Sequence, residues 1–113
     1  GFITASALAF KYDIGFIPIR KSNKLPGKEI GISYKLEYGA DRLEIKEGLF
    51  KKNSKIMVID DLLATGGTAS AAGTLIREAE GYLFGYAFLL ELTNLMGRKK
   101  LDPNVNIESV LKY

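Results

Sequence analysis

Cysteine, histidine and tryptophan are all absent from this chain of 113 residues. Without cysteine there can be no disulfide, thiol nucleophile or thiolate metal site, so a reducing cytoplasm is the expected location. Without histidine, a Ser-His-Asp triad and an imidazole-bound zinc are excluded as well. Any proton transfer must therefore use carboxylates, tyrosine or lysine, and any metal ion would be a hard cation such as Mg²⁺.

Long apolar runs and a strong charge bias are also missing. No stretch reaches the ~18 uninterrupted apolar residues of a membrane span, and no signal segment opens the chain. The 16 basic residues are interleaved with 13 acidic ones, which leaves a net charge of +3. This mild excess favours a site for polyanionic small molecules and argues against a nucleic-acid or membrane partner. The hydrophobic content of 47% predicts one globular domain with a real core.

Hydrophobic patterning predicts strands that alternate with helices. Helices are predicted over residues 4–12 and 68–79, and strands over residues 15–19, 42–46, 56–59, 82–90 and 105–113. We expect strand 56–59 to be central and strand 105–113 to lie at an edge, while strand 82–90 is so apolar that both its faces should be buried. The order of strand, helix and strand predicts a right-handed, mostly parallel α/β sheet.

Two further segments have weaker patterns. Residues 30–38 alternate loosely between polar and apolar types, as in a hairpin arm or mobile ribbon. Four aromatic residues alternate along the strand at 82–90, and we interpret them as core or as a subunit interface: Tyr82, Phe84, Tyr86 and Phe88. A nucleic-acid stacking platform would need basic residues among them, and this run has none.

The most informative segment is residues 55–68, in which four apolar residues run into Asp60 and Asp61 and then into a short loop. This order is typical of a buried parallel strand, a tight turn and a helix start. In an open α/β sheet, ligands bind outside the carboxyl ends of the strands, where these two acids are expected.

The loop itself has the composition of a phosphate site. Gly66 and Gly67 carry no side chain, so main-chain N–H groups of the loop and of the first helical turn can surround a phosphate. The helix dipole favours an anion there, and the hydroxyls of Thr65 and Thr68 can bind phosphate oxygens. Acids beside such a loop suit a sugar phosphate, whose hydroxyls or bound Mg²⁺ would meet Asp60 and Asp61.

Each part of this pattern also has an ordinary structural interpretation. Two aspartates at a strand end can be a helix N-cap region, and Gly-Gly-Thr can be a simple turn. Their combination after a four-residue apolar run favours function. Neither a Walker A loop nor a Gly-x-Gly-x-x-Gly dinucleotide fingerprint is present.

Residues 58–68 (Val-Ile-Asp-Asp-Leu-Leu-Ala-Thr-Gly-Gly-Thr) resemble the phosphoribosyl-diphosphate signature of type I phosphoribosyltransferases. Other segments resemble the adenine phosphoribosyltransferase family in order and spacing, and the likeness covers nearly the whole chain. They are Ile-Arg-Lys at 19–21, Lys-Leu-Pro-Gly at 24–27, Leu-Glu-Tyr-Gly at 36–39, Glu-Leu-Thr at 91–93 and Gly-Arg at 97–98.

The resemblance implies a fold and a reaction. The fold would be a mostly parallel Rossmann-like sheet flanked by helices, with a flexible hairpin lid. The reaction would transfer the phosphoribosyl group from phosphoribosyl diphosphate to adenine, giving AMP and diphosphate in purine salvage. The family also implies a Mg²⁺ cofactor, carried by the ligand near Asp60 and Asp61, and a homodimer.

The resemblance further implies a role for individual residues. Phosphoribosyl diphosphate would be held by Asp60, Asp61, Ala64, Thr65, Gly66, Gly67 and Thr68, and its diphosphate by Arg20, Lys21 and Lys24. The base would contact Leu92 and Ala64, Glu37 would handle the purine proton, and Tyr38 would belong to the closing loop. From the residues alone, solvated basic loops, an exposed hairpin glutamate and a core leucine remain the ordinary alternatives.

The chain opens on an apolar Gly-Phe-Ile without methionine, so we expect it to be the later part of a longer protein. Residues 1–113 would then be the core domain, without the hood that covers the base in the resembled family. Two alternative functions stay open. One is a non-catalytic regulator that senses purines or phosphoribosyl diphosphate, and the other is a phosphoribosyltransferase for another base.

Overall fold

The computed structural model describes residues 1–21, 29–36 and 39–113. It contains two α-helices, α1 (Phe2–Tyr12) and α2 (Gly67–Glu78). Its six strands are β1 (Ile19–Lys21), β2 (Glu29–Leu36), β3 (Gly39–Lys46), β4 (Lys55–Leu63), β5 (Tyr82–Glu91) and β6 (Asn106–Lys112). Two short 3-10 helices, Thr93–Leu95 and Gly97–Lys100, follow β5.

The strands form two sheets of three strands each. β4, β5 and β6 are parallel and lie in that order, whereas β1, β3 and β2 are antiparallel and lie in that order. The helix α2 connects β4 to β5, as expected for a parallel pair that needs a crossover. The α/β fold class with a parallel sheet and flanking helices is therefore confirmed, and β6 lies at an edge as predicted.

Two of the predicted strand positions were wrong. Residues 15–18 form no regular strand, because Pro18 has no N–H to donate; the strand starts at Ile19, which pairs with Ile45. β4 is not central but lies at the edge of the parallel sheet within the described part of the chain. Met57 on β4 is accordingly 43% exposed.

β5 was expected to be buried on both faces, and this also was wrong. Its residues Leu83, Tyr86 and Phe88 are buried, whereas Tyr82 and Phe84 are 56% and 52% exposed. β5 also has a register shift against β4, since Ile56 pairs with Leu83 but Met57 pairs with Gly85, which leaves Phe84 as an extra residue on β5.

The extra residue reverses the alternation of side chains along β5. Leu83 before the bulge and Tyr86 after it therefore face the same side, and both lie against Gly73 of α2. A Cβ on Gly73 would collide with the hydroxyl of Tyr86, so the helix can lie this close only with glycine there. The aromatic pattern at 82–90 is thus core for Tyr86 and Phe88, and the subunit-interface prediction stays open for the exposed pair.

The core lies between α2 and the two sheets. α2 contributes a small-residue face of Ala69, Ala72 and Gly73 and the fully buried Leu75 and Ile76. Each large aliphatic side chain removed from water contributes about 1.5–3 kcal/mol, so this face is the main source of stability. Leu43 and Ile45 of β3 join the same cluster, which attaches the antiparallel sheet to the rest of the molecule.

The predicted helix at 4–12 is confirmed as α1, which begins two residues earlier. α1 lies beside β4 at one wall of a mostly apolar groove of about 750 Å³ between β4 and the antiparallel sheet. Asp60 and Thr68 are among the few polar residues that line this groove. None of the helices formed by described residues has the length and apolarity needed to cross a membrane.

Candidate active site

The carboxyl ends of β4 and β5 lie side by side and form one edge of the molecule. Leu63, the last residue of β4, pairs with Glu91 and accepts a 2.9 Å hydrogen bond from the N–H of Leu92. The loop 64–66 then leads directly into α2. Both strands therefore deliver their following loops to the same place, which is where open α/β sheets bind ligands.

The amino end of α2 is suited to an anion. Its N-cap is Gly66, and no side chain caps this end of the helix. The first N–H groups of an α-helix have no partner within the helix, so those of the first turn point outward from this end. Thr65 and Thr68 are exposed beside them, and a phosphate would be favoured by both the donors and the helix dipole.

Gly66 has a conformation that other residues rarely adopt. Its φ is 86°, in the left-handed region, and a Cβ there would collide with the carbonyl oxygen of Gly97. Gly97 is packed just as closely, since a Cβ on it would collide with the carbonyl oxygen of Ala64. The loop 64–66 and the 92–98 segment are therefore in direct main-chain contact.

Asp60 and Asp61 are the sixth and seventh of the nine residues of β4, and Leu62 and Leu63 separate them from this loop. The N–H of Asp61 donates to Asp60 Oδ1 at 2.9 Å, and the main-chain nitrogen of Gly1 lies 3.2 Å from the same oxygen. The Asp60 side chain is 33% exposed and that of Asp61 is 71% exposed. Burial raises the pKa of Asp60, while the hydrogen bond between the two carboxyl groups lowers the pKa of Asp61. Asp61 is therefore the first of the two to ionise.

The buried Glu91 and the partly exposed Arg98 form an ion pair across the 92–98 segment. Arg98 donates through Nε and Nη2 to the two carboxylate oxygens of Glu91, each at 2.8 Å. Ser109 donates to Glu91 at 2.7 Å, and Arg98 Nη1 donates to the carbonyl oxygen of Ile107 at 3.0 Å. The hydrogen bond from Arg98, with that from Ser109, lowers the pKa of Glu91 although burial opposes it.

Both basic residues of β1 contact other side chains. The guanidinium of Arg20 lies 4.8 Å from the ring centre of Phe2, next to Gly1 at the amino end of α1. Lys21 Nζ lies 2.8 Å from Asp41 Oδ2 on the adjacent strand. Arg20 thus contacts Phe2, and the preceding residue, Gly1, contacts Asp60.

Comparison with known proteins decides the family. No family model matches the chain. The chain is 66% identical over 113 residues to the adenine phosphoribosyltransferase of Prochlorococcus marinus strain NATL2A. The match covers 100% of this chain and 66% of that relative. The adenine phosphoribosyltransferase of Parasynechococcus marenigrum strain WH8102 is 51% identical over the same 113 residues, which are 66% of its length. This chain belongs to the adenine phosphoribosyltransferase family.

Solved structures of adenine phosphoribosyltransferases have the same fold. That from Thermoanaerobacter pseudethanolicus superposes with a TM-score of 0.95 at 42% identity, covering 100% of this chain and 65% of that one. The Saccharomyces cerevisiae enzyme, complexed with an imino-altritol bisphosphate and adenine, has a TM-score of 0.91 at 39% identity, with 96% and 61% covered. The Trypanosoma brucei protein, in complex with AMP, pyrophosphate and ribose-5-phosphate, has a TM-score of 0.90 at 32% identity, with 99% and 52% covered.

The adenine phosphoribosyltransferase fold brings most of the predicted site residues to one edge. Asp60, Asp61, Ala64, Thr65, Gly66, Gly67 and Thr68 follow one another along β4, its loop and α2, and Leu92 lies beside Leu63. Arg20 and Lys21 lie on β1, and Arg20 contacts Phe2 at the amino end of α1. Lys24, Glu37 and Tyr38 lie outside the described residues, so their predicted roles remain predictions.

Three residues of this adenine phosphoribosyltransferase site were not assigned a role from the sequence. Gly97 packs against the loop 64–66, and Glu91 and Arg98 form the ion pair next to Gly97. The sequence feature that could have indicated this pair is Arg98, which follows Gly97 and lies seven residues after Glu91 at the predicted strand end. That spacing is compatible with an exposed loop as well, so only the fold distinguishes the two.

Gly66→Ala is expected to destabilise the protein. A left-handed conformation at a non-glycine residue costs about 1–3 kcal/mol, and the Cβ must in addition displace the Gly97 carbonyl. Thermal unfolding should show a clearly lower Tm than in the wild type. The matched control is Gly15→Ala, because a Cβ on Gly15 meets no atom within 4 Å. Equal melting of the two variants would contradict the packing described for Gly66.

Glu91→Gln is expected to lower stability in a pH-dependent way. The pKa of Glu91 lies below its ordinary value of 4.5 in the folded protein, so its charge stabilises the fold above that pH. This contribution, on the order of 2 kcal/mol, is lost as the pH falls through the lowered pKa. Denaturant unfolding should therefore separate variant and wild type widely at pH 7 and less at pH 3. Glu108→Gln, at an exposed position of the neighbouring strand, is the control and should have little effect at either pH.

Proposed function

We propose that the protein transfers the 5-phosphoribosyl group from phosphoribosyl diphosphate to adenine, giving AMP and diphosphate. The observation that carries this proposal is the continuous run from Asp60 to Thr68, which joins two acids at a strand end to an uncapped helix amino terminus. The family relationship points the same way. Since the chain spans 66% of the length of its relatives, the activity is proposed for the whole encoded protein, including any residues that flank these 113.

In this reaction the nitrogen N9 of adenine attacks the anomeric carbon of the ribose. The bond between that carbon and the diphosphate oxygen breaks, and its electron pair leaves with the diphosphate. The proton of N9 would pass to the carboxylate of Glu37, with Tyr38 in the closing loop, as the family resemblance implies. No residue forms a covalent intermediate, so the rate enhancement would come from positioning and from electrostatic stabilisation of the sugar cation.

The residues of the site divide this work. Main-chain N–H groups from Ala64 to Thr68, with the hydroxyls of Thr65 and Thr68, would bind the 5′-phosphate. Asp60 and Asp61 would bind the ribose hydroxyls, and their negative charge would offset the positive charge that develops on the sugar. Leu92 and Ala64 would line the base subsite at the end of β5 and β4.

The departing diphosphate needs cationic partners. Arg20, Lys21 and Lys24 would supply them, and the forked guanidinium of Arg20 suits a phosphate particularly well. Lys21 lies 2.8 Å from Asp41, so it would have to exchange this partner for the diphosphate, whereas Arg20 contacts a ring. We therefore expect Arg20 to contribute more than Lys21 to binding of phosphoribosyl diphosphate.

The donor set fits a magnesium ion that arrives with the ligand. Among the described residues there is no group of three acidic side chains that could hold a metal by itself. Asp60 and Asp61 offer carboxylate oxygens, which Mg²⁺ prefers, and phosphate and water oxygens would complete its shell. When bound, Mg²⁺ would neutralise charge on the diphosphate and make it a better leaving group.

The quaternary structure, location and domain assignment are part of the proposal. We propose a homodimer in the cytoplasm, with residues 1–113 as the core domain. The exposed aromatic residues Tyr82 and Phe84 are consistent with an interface between subunits, because such surfaces are enriched in aromatic side chains. The lack of cysteine agrees with a reducing compartment.

The function is tested by product formation in the whole encoded protein. Phosphoribosyl diphosphate and Mg²⁺ are supplied with adenine, guanine, hypoxanthine or orotate in turn, and nucleotide and diphosphate are measured. Turnover of adenine alone is the expected result. Turnover of another base would replace adenine as the acceptor, and binding of phosphoribosyl diphosphate without any turnover would favour a regulator.

A further inference from the structure

The Glu91–Arg98 pair is next to a residue that contacts the phosphate loop. Arg98 directly follows Gly97, whose main chain lies against Ala64 and Gly66. The Gly97 position is also close to the N–H side of the loop, since a Cβ on it would lie 3.1 Å from the nitrogen of Gly66. Any shift of the main chain at Arg98 is therefore passed on to the loop.

The side chain of Arg98 is held from two strands at once. Two bonds of 2.8 Å hold it to Glu91 at the end of β5, and a 3.0 Å bond holds it to Ile107 of β6. Glu91 is 5% exposed and receives a further bond from Ser109. The arginine thus fixes the 92–98 segment on the sheet with these three hydrogen bonds, two of them to the carboxylate of Glu91.

Stability alone does not explain a charged group at this place. Removing two charges from water costs free energy that their attraction only partly offsets, so an apolar pair would often serve equally well. A forked ion pair, by contrast, fixes both distance and direction between its partners. A phosphate loop that packs against the main chain of Gly97 requires such a fixed position of the 92–98 segment.

We propose that Arg98, held by Glu91, is a positioning residue that sets the shape of the phosphate loop through Gly97. Neither side chain is among the residues proposed to bind the phosphate, and both are engaged with the ends of β5 and β6. The inference rests on the proposed function, because it identifies the ligand of the loop as the 5′-phosphate of phosphoribosyl diphosphate. Its effect should appear in ligand affinity, beyond any loss of stability.

The experiment measures phosphoribosyl diphosphate binding by calorimetry with Mg²⁺, in the whole encoded protein, at a temperature at which melting curves show every variant folded. Arg98→Gln is expected to weaken binding about 10- to 100-fold, as a displacement of about 1 Å in a positioned site can do. Arg98→Lys keeps the charge but not the fork, and should fall between Arg98→Gln and the wild type. It also serves as the second variant if Arg98→Gln does not fold.

The matched control is another arginine–carboxylate pair far from the loop. Arg77 on α2 lies 2.6 Å from Asp102 in an exposed pair, so Arg77→Gln should change the Tm little and leave the affinity within about two-fold of the wild type. Affinities of Arg98→Gln and Arg98→Lys that also stay within about two-fold would overturn the inference and leave a purely structural pair. Failure of the wild type itself to bind phosphoribosyl diphosphate would instead remove the proposed function, and the inference with it.

Discussion

Gly67→Val is expected to abolish binding of phosphoribosyl diphosphate while leaving the Tm within a few degrees of the wild type. Gly67 is the first residue of α2, and its φ is not among the positive values of the described residues, so valine can adopt its conformation. A branched side chain at this position would stand among the first-turn N–H groups and exclude the phosphate. A loss of at least 100-fold, equivalent to about 2.7 kcal/mol, is the expected scale.

The two neighbouring glycines should therefore separate binding from folding. Gly66 is constrained by its φ and by Gly97, so its substitution acts on stability, whereas substitution of Gly67 acts on access to the helix terminus. Calorimetry and thermal melts on both variants test this distinction. Gly15→Val, in an open position, is the control and should bind normally. Wild-type affinity in Gly67→Val would show that the phosphate lies elsewhere.

Replacing both Asp60 and Asp61 by asparagine is expected to lower kcat/KM for phosphoribosyl diphosphate by about 10³-fold or more. The two carboxylates are the only acids of β4, and they lie two residues before the proposed phosphate loop. Asparagine keeps the size of the side chain and one acceptor oxygen but removes the charge that would offset the sugar cation. Loss of one such electrostatic contact commonly costs 10²- to 10³-fold.

The single variants should differ. The Asp60 side chain is 33% exposed and that of Asp61 is 71% exposed, so a charge at Asp60 is less screened by water. Asp60→Asn is therefore expected to have the larger effect on kcat. Steady-state kinetics with varied phosphoribosyl diphosphate gives both constants, and Asp13→Asn at the exposed end of α1 is the control. A fall of less than 10-fold in the double variant would exclude the acids from the reaction.

The segment from β4 to α2 could be predicted from sequence because its signals are local. Four apolar residues, two acids, two glycines and an alanine-rich stretch follow one another, so strand, loop and helix each have their own pattern within about 25 residues. The same property made its site residues predictable, because they are neighbours along the chain.

Features that depend on contacts between distant residues could not be predicted in this way. Phe84 looks like any other apolar residue of its strand, and only the pairing with β4 shows that it is a bulge. The contact between Gly66 and Gly97 joins residues 31 positions apart. The position of β4 at an edge is likewise a property of the sheet, which no stretch of apolar residues specifies.

The bulge at Phe84 has a consequence for protein engineering of β5. Deleting this single residue would restore regular pleating, but it would also turn either Leu83 or the Tyr86–Phe88 pair away from Gly73 and α2. Shortening β5 by one residue should thus be far more damaging than most substitutions within it, whereas polar substitutions of Phe84 itself, which is 52% exposed, should be well tolerated by the isolated subunit. A library that diversifies β5 should keep the length of the strand constant. It should also allow for the reversed alternation of inward and outward side chains on the two sides of Phe84.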